Sequence, residues 1–369
     1  MKVCITGGHL SPALATAAEL QIRHPDWKII WIGRTKALAG DREVSTESLK
    51  VKELGIPFFP LTTGRLNRTF SLETLLSVLY IPLGFFEALR LVLRESPSII
   101  VSFGGYLALP VVVAGGICRI PVVTHEQTRV PGLANKIIAV FADTICVSFP
   151  EMTQDFWKKK VICTGLPLRK ELFVKNNKML PFSRNKKPLL YIGGGTTGSV
   201  SMNALFFSCL TLLLKDFQIV HQTGSQSYES AMGLKNTLST VDKDSYIPLK
   251  YLGPEVLKSV YVESSLYIGR SGANTVYELA VFGKPSIFIP LPWSSGGEQQ
   301  ANAEFLALHG GALVLEQQSL ESLEIPKIVR TFYTKISQWK EKMKNVRLMF
   351  PVDGAIRLAD VIDGAVSTK

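Results

Sequence analysis

A chain of 369 residues is longer than one compact core ordinarily serves, so two domains of roughly 150 to 200 residues are expected. Its 46% hydrophobic and 19% charged content is that of a globular protein with substantial buried strands. The formal net charge of +11 is spread along the chain, +5 in the first 165 residues (18 basic, 13 acidic) and +6 in the rest. With no zinc-finger, RRM or helix-turn-helix pattern and no interleaved aromatics, it argues against nucleic acid and for anionic lipid head groups or anionic substrates.

Met1-Lys2 runs at once into VCIT and a glycine turn, which reads as a first strand and not a signal peptide. Ser11-Pro12 marks the start of the first helix. The apolar runs WKIIWIG, SIIVSFGG, PVVTHE and DTICVSF then alternate with helical patterns. Between them, the stretch from Arg65 to Phe86 mixes basic residues with Leu, Phe and Tyr. Its uncharged part, Thr74 to Phe86, is 13 residues long and contains Pro82 and Gly84. A membrane-spanning helix needs about 20, so no crossing is expected there. A core helix with a charged lead-in is one account of this stretch.

The second half restarts on the same plan. LLYIGGGTTGSVSMNALFF repeats the order strand, glycines, helix seen in VCITGGHLSPALATAAEL, and FQIVHQTG, SLYIGRSG and PSIFIPLP follow. Continuous apolar strands alternating with helices predict α/β architecture, two doubly wound Rossmann-like domains with parallel sheets covered on both faces. Their strand-end loops are expected to line a cleft. Gly165 and Pro167 place the boundary near Cys163 to Lys170, giving domains 1–164 and 165–351. The five cysteines (Cys4, Cys118, Cys146, Cys163, Cys209) are far apart and form no C-x-x-C pair. Free thiols in a reducing compartment are therefore expected.

The stretch from Arg270 to Asn302 carries the most chemistry. It reads as a strand (Leu266 to Gly269), a glycine turn, a helix (about Thr275 to Phe282) and a strand (Ser286 to Pro290). Gly283 ends the helix in a left-handed position and Pro285 prevents it from resuming. A helix that begins at the end of a parallel strand presents free amides and a positive dipole end, a site suited to a diphosphate. Glu278, one turn in, could accept hydrogen bonds from two adjacent sugar hydroxyls, and Gln299 and Asn302 follow the next strand. Thr275 and Glu278 also fit a capping box, which would make both structural. A dinucleotide-binding dehydrogenase is disfavoured: TGGHLSPA lacks G-x-G-x-x-G, and GGGTTG matches it only as a run of glycines.

The order Arg270-Ser271-Gly272-Ala273-x-Thr275-x-x-Glu278, then Gln299-x-x-Asn302-Ala303, resembles the donor motif of the MurG family. That family transfers N-acetylglucosamine from UDP-N-acetylglucosamine to a lipid-linked muramyl acceptor. Seven further motifs match in order: Gly7-Gly8-His9 with Pro12-Ala13-Leu14; Gly104-Gly105-Tyr106; His125-Glu126-Gln127; Val130-Pro131-Gly132-Leu133 with Asn135; Thr164-Gly165, Pro167 and Arg169; Gly194-Gly195, Gly198 and Asn203; and His221 to Gly224.

The resemblance implies the GT-B fold, with helix 352–366 crossing back onto an acceptor-binding, membrane-associating first domain. It implies UDP-sugar binding in the second domain by Arg169, Gly195, Thr196, Thr197, Gly198, Asn203, Ser271, Gly272, Ala273, Thr275, Glu278, Gln299 and Gln300. Acceptor contacts fall to Gly7, Gly8, His9, Gly105, Tyr106, Gln127, Thr128 and Asn135. His9, His125 and Glu126 are the candidates for catalysis, His9 as general base or acceptor-binding group. Arg65, Arg68, Phe70, Leu75 and Leu79 would dock an anionic membrane surface. No cofactor and no metal is expected. The implied setting is the cytoplasmic face of the cell membrane, in peptidoglycan biosynthesis, with its links to cell shape and cell division.

Departures cluster on the acceptor side. The first glycine loop is short, Thr128 stands for the family's Asn, Leu166 replaces the Asn of the interdomain turn, and the acidic residue near Gln299 is displaced to Glu298. A transferase with another lipid-linked acceptor, a UDP-sugar 2-epimerase, or a silent UDP-sugar-binding partner are the alternatives.

Overall fold

The computed structural model describes residues 1–34, 45–64, 72–154, 156, 160–174, 187–195 and 198–367, with the backbone alone at 46, 72–80, 153, 154 and 295. Arg65, Arg68, Phe70, Thr196 and Thr197 lie outside the described residues, as do the side chains of Leu75 and Leu79. The chain divides into two compact units, Met1–Arg169 with Pro351–Lys369, and Lys170–Phe350. The change-over thus falls five residues beyond 164, because Leu166 and Pro167 pack under Gly354 of the returning segment.

The first unit runs β1 (Lys2–Thr6), α1 (Leu10–Arg23), β2 (Lys28–Gly33), α2 (Thr46–Glu53), β3 (Phe58–Pro60), α3 (Leu72–Glu95), β4 (Ile99–Ser102), α4 (Gly105–Ile117), β5 (Val122–Glu126), α5 (Leu133–Phe141), β6 (Thr144–Val147) and β7 (Lys160–Cys163). The second runs β8 (Leu189–Gly193), α6 (Val200–Leu214), β9 (Gln218–Gln222), α7 (Ser225–Thr237), α8 (Thr240–Ser245), β10 (Tyr246–Leu249), α9 (Pro254–Glu263), β11 (Leu266–Gly269), α10 (Ala273–Val281), β12 (Ser286–Phe288), α11 (Glu298–Leu308), β13 (Ala312–Val314), α12 (Ile325–Thr334) and α13 (Ile336–Leu348). The final helix, α14 (Gly354–Ser367), belongs to the first unit.

Both sheets are wholly parallel, and they share one strand order. The first is β3-β2-β1-β4-β5-β6-β7 and the second β10-β9-β8-β11-β12-β13. The order reverses between β1 and β4, and again between β8 and β11. In an open α/β sheet that reversal opens a crevice at the strand carboxyl ends, where ligands bind. Two glycines make the close approach possible. A Cβ on Gly7 would lie 2.7 Å from the Phe103 backbone, and one on Gly269 would lie 2.0 Å from the Gly193 carbonyl.

Each unit has its own apolar core. Val3, Ile5, Trp31, Val101 and Phe103 anchor the first, and Leu358, Ala359 and Ile362 of α14 close it against α1. Arg23 reinforces this docking with ion pairs to Asp360 at 2.6 Å and Asp363 at 2.9 Å. Leu190, Ile192, Phe206, Phe217, Ile219, Ile268 and Ile287 build the second. The four strands that apolar runs do not reveal, β3, β7, β10 and β13, are the four sheet edges. Every residue of central β4, β6 and β8 is buried, whereas β7 has no fully buried residue, so edge strands lack the continuous apolar signature.

Candidate functional site

In the second unit the reversal point is built around Arg270, which is 4% exposed. Its Nη1 donates to the carbonyls of Ile289 (2.9 Å) and Pro290 (3.1 Å), and its Nη2 to Ser199 Oγ (2.7 Å). One guanidinium fork therefore ties the end of β11 to the loop after β12 and to the glycine loop before α6. Arg270 opens the donor motif read from the sequence, but its clamping role is not legible there, since its partners lie up to 71 residues away from it.

α10 begins at Ala273, with Gly272 as N-cap and no side chain bonded to the cap. Thr275 is thus the third helical residue, and the capping-box account of Thr275 and Glu278 does not hold. The first-turn amides and the positive end of the helix are left uncapped by side chains, as an anion site requires. Glu278 lies one turn further on, 5% exposed, and its Oε2 accepts from the Tyr261 hydroxyl at 2.8 Å.

Ser271 and Asn302 are both fully buried. Ser271 Oγ donates to the Gln299 carbonyl at 2.7 Å, and Asn302 Nδ2 to the Ser271 carbonyl at 3.2 Å, fastening α11 beside α10. Gln299 Oε1 holds the Leu291 amide at 3.1 Å, whereas Gln300 turns to Glu304 at 2.7 Å. Gly195 accepts from Gln222 Nε2 through its carbonyl at 3.0 Å, and Gly198 passes so close to Thr223 that a Cβ would lie 2.3 Å from its carbonyl oxygen.

Asn203 turns inward. It is fully buried, accepts from His221 Nε2 at 3.0 Å and donates to the Thr223 carbonyl at 2.7 Å, while His221 Nδ1 meets the Tyr246 hydroxyl at 3.1 Å. Burial pushes the His221 pKa down to about 3. A histidine kept neutral in the fold binds a proton more readily when unfolded, so its contribution is complete above about pH 6.5 and is lost as pH falls from there toward 3. Relative to His221→Gln, the wild-type chain should therefore lose melting temperature between pH 7 and pH 5. Parallel pH dependences of the two would show that His221 is not linked to folding in this way.

In the first unit, β1 and β4 end side by side, and the Gly8 amide donates to the Gly104 carbonyl at 2.8 Å. His9 is half-buried at the N-cap of α1, whose first residue, Leu10, is one residue ahead of the start expected from Ser11-Pro12. Its Nδ1 lies 2.6 Å from the carboxamide of Gln127, which leaves Nε2 as the ring nitrogen available to a ligand. Burial pushes the His9 pKa down to about 4, so the ring is neutral at physiological pH.

Glu126 and His125 take internal roles. Glu126 is 2% exposed; Oε1 accepts from the Thr128 amide (2.9 Å) and hydroxyl (2.8 Å), and Oε2 accepts from Asn135. Asn135 Oδ1 in turn accepts from the Gly105 amide at 2.7 Å. Glu126 therefore fixes the second glycine loop through Asn135, and as a proton acceptor for substrate it is corrected. Thr128 meets the same carboxylate, so its hydroxyl does structural duty at the position where the family has Asn. His125 is 1% exposed and donates from Nε2 to the Gly165 carbonyl at 3.0 Å, so it too is enclosed. Tyr106 accepts from Arg34 Nη1 at 3.3 Å at the start of α4. Arg169 is half-buried at the last position of this part of the unit.

Among the described residues no group of three His, Cys, Asp or Glu side chains is placed to hold a metal. The one Asp-x-Asp sequence, Asp242-Lys243-Asp244, is helical, and Asp242 pairs with the Ser239 cap at 2.9 Å.

Two doubly wound sheets of one strand order, each with glycine loops and polar side chains at its reversal point, define a GT-B type glycosyltransferase architecture. Residues 2–147 match the glycosyltransferase family 28 N-terminal domain and residues 189–358 its C-terminal domain. The chain is 31% identical over 366 residues to a Lachnospira eligens UDP-N-acetylglucosamine–N-acetylmuramyl-(pentapeptide) pyrophosphoryl-undecaprenol N-acetylglucosamine transferase, covering 97% of this chain and 98% of the relative. A Clostridium botulinum (strain Loch Maree) protein of the same name is 32% identical, with 94% and 95% covered. The crystal structure of Acinetobacter baumannii MurG superposes with a TM-score of 0.71 at 24% identity, covering 98% and 99% of the two chains. A Neisseria meningitidis UDP-GlcNAc 2-epimerase shares the fold at 14% identity, with a TM-score of 0.67 and 98% and 99% covered. The chain belongs to the MurG family within glycosyltransferase family 28.

Proposed function

We propose that this protein transfers N-acetylglucosamine from UDP-N-acetylglucosamine to lipid I, giving lipid II for peptidoglycan synthesis. The observation that carries the reading is identity of 31–32% over nearly the full chain to transferases of that name. The geometry supports it. The second unit offers the uncapped α10 amides for a diphosphate and Glu278 for ribose hydroxyls, with the loops between them clamped by Arg270. Thr196, Thr197 and Arg169 are further donor ligands in this proposal, and electrostatic stabilisation of the departing diphosphate is its largest catalytic contribution. The first unit offers Gly8, Gly105, Tyr106 and His9 to the acceptor, with His9 Nε2 taking the hydroxyl proton in the tautomer whose Nδ1–H donates to the carboxamide oxygen of Gln127. Inversion at the sugar carbon follows from one direct displacement.

Product analysis with UDP-N-acetylglucosamine, with and without lipid acceptors, tests the assignment. Lipid II formed only in the presence of lipid I supports it. Product on a different lipid acceptor alone, epimerised sugar without acceptor, or no product at all would each replace it.

Work at the cytoplasmic face of the membrane as a peripheral protein is part of the proposal, and with it a role in cell shape and division. No helix among the described residues is long and apolar enough to cross a bilayer. Three helices packed in succession, α3, α4 and α5, leave Leu83, Phe86, Ile117, Leu133 and Val140 58–66% exposed, with exposed Arg90, Arg119 and Lys136 among them. Apolar side chains bordered by cations suit an anionic bilayer surface. The protein should therefore sediment with anionic vesicles more than with neutral ones, salt should weaken the binding, and Leu83→Glu with Phe86→Glu should reduce it. Equal sedimentation with both vesicle types would remove the docking surface.

A further inference from the structure

Tyr261 stands on α9, outside every motif of the sequence, yet its hydroxyl is a donor to the Glu278 carboxylate, at 2.8 Å. Both side chains are enclosed, Tyr261 at 1% and Glu278 at 5% exposure. A buried carboxylate without a donor is costly, and the terminal torsion of a glutamate is broad, so an unheld carboxylate would adopt several orientations. A phenol donates one hydrogen bond of fixed direction, and here its ring is itself held between Tyr191 (centroids 6.0 Å apart) and Phe282 (5.2 Å). Burial and the neighbouring carboxylate push the Tyr261 phenol well above its ordinary pKa, so it keeps its proton and remains a donor.

We propose that Tyr261 is a positioning residue for the donor nucleotide: it fixes the plane of the Glu278 carboxylate so that the carboxylate meets both vicinal hydroxyls of a ribose, and it thereby sets the preference for a ribonucleotide. This rests on the reading of Glu278 as the ribose ligand. A carboxylate has about four acceptor positions, of which the phenol occupies one. With its plane fixed, the 2′-hydroxyl and the 3′-hydroxyl are both engaged; with the plane free, one bond is kept at the expense of the other.

The test compares UDP with 2′-deoxy-UDP by calorimetry in the full-length protein. Wild type should bind UDP at least about tenfold more tightly than the deoxy compound, the ordinary range for one charge-assisted hydrogen bond. Tyr261→Phe keeps the ring and removes only the hydroxyl. It should shrink that ratio at least about threefold, chiefly by weakening UDP. Tyr246→Phe, which strips a hydroxyl from an equally buried tyrosine bonded to His221 instead, should leave the ratio unchanged. Circular dichroism melts of both variants establish that each is folded. If Tyr261→Phe weakens both nucleotides alike, the residue is merely structural and the proposal is overturned. If wild type does not discriminate the two nucleotides, the ribose role of Glu278 falls, and Tyr261 with it. Should Tyr261→Phe fail to fold, Tyr261→His, which retains a ring and a donor, is measured in its place, and an unaltered tight preference for UDP supports the proposal while equal loss on both nucleotides overturns it.

Discussion

Replacing His9 with alanine should lower turnover by roughly 10²–10⁴-fold, the usual span for loss of a general base, while UDP affinity stays near wild type. The base role follows from position: His9 caps α1 directly behind the Gly7-Gly8 turn, and it requires the tautomer whose Nδ1–H donates to the Gln127 carboxamide, which leaves Nε2 to accept a proton. Its partner is a neutral carboxamide, which adds no charge to hold a proton on the ring, and burial keeps the pKa near 4. The pH profile of wild-type kcat/KM should accordingly stay level through neutrality and fall only on approach to pH 4, as the ring is protonated. If His9 binds acceptor without taking a proton, the variant's loss will appear in the acceptor KM with kcat retained. Unchanged turnover and KM in the variant, with a verified acceptor, would remove His9 from both roles.

Glu278→Ala should weaken UDP binding by about 1.5–3 kcal/mol, the cost of a hydrogen bond to a charged group, or roughly 10- to 150-fold in Kd. The substitution also strands the Tyr261 hydroxyl in a buried site, so some loss of melting temperature is expected as well. The two effects separate in Glu278→Gln, which keeps an acceptor for Tyr261 but lacks the charge. Full UDP affinity in both variants would confine Glu278 to packing. Because the helix begins at Gly272, a cap role for this residue is already excluded by geometry.

What the sequence disclosed and what it hid divide along a physical line. Central strands announce themselves because both faces are covered, as in VCIT, IIVS and LLYIG, and the glycine loops because tight turns between strand and helix demand glycine. Edge strands such as Lys160–Cys163 stay hidden because they are covered only in part, with no fully buried residue in that strand. α10 starts two residues ahead of its expected position, since Gly272 caps it without a side chain, and Thr275 imitates a cap at the wrong position. Residue type also says nothing about direction. Asn203 and Glu126 carry ligand-like chemistry, yet both turn inward, the one to His221 and the other to Asn135, and only the third dimension decides that. The clamp role of Arg270 and the whole of Tyr261 are hidden in the opposite sense, since each acts on residues that are distant in the chain or belong to another helix.

The return of α14 to the first unit bears on how the protein is made. A ribosome releases Met1–Arg169 first, and domains generally fold in the order they emerge. Here the first unit emerges without the helix that supplies Leu358, Ala359 and Ile362 to its core and Asp360 and Asp363 to Arg23. The second unit, one unbroken run from Lys170 to Phe350, can mature during synthesis. The nascent first unit must wait through those residues with the α1 face of its core unsealed, exposed to chaperones and to premature association. A helix made after the whole second unit thus sets the moment at which the first unit becomes native.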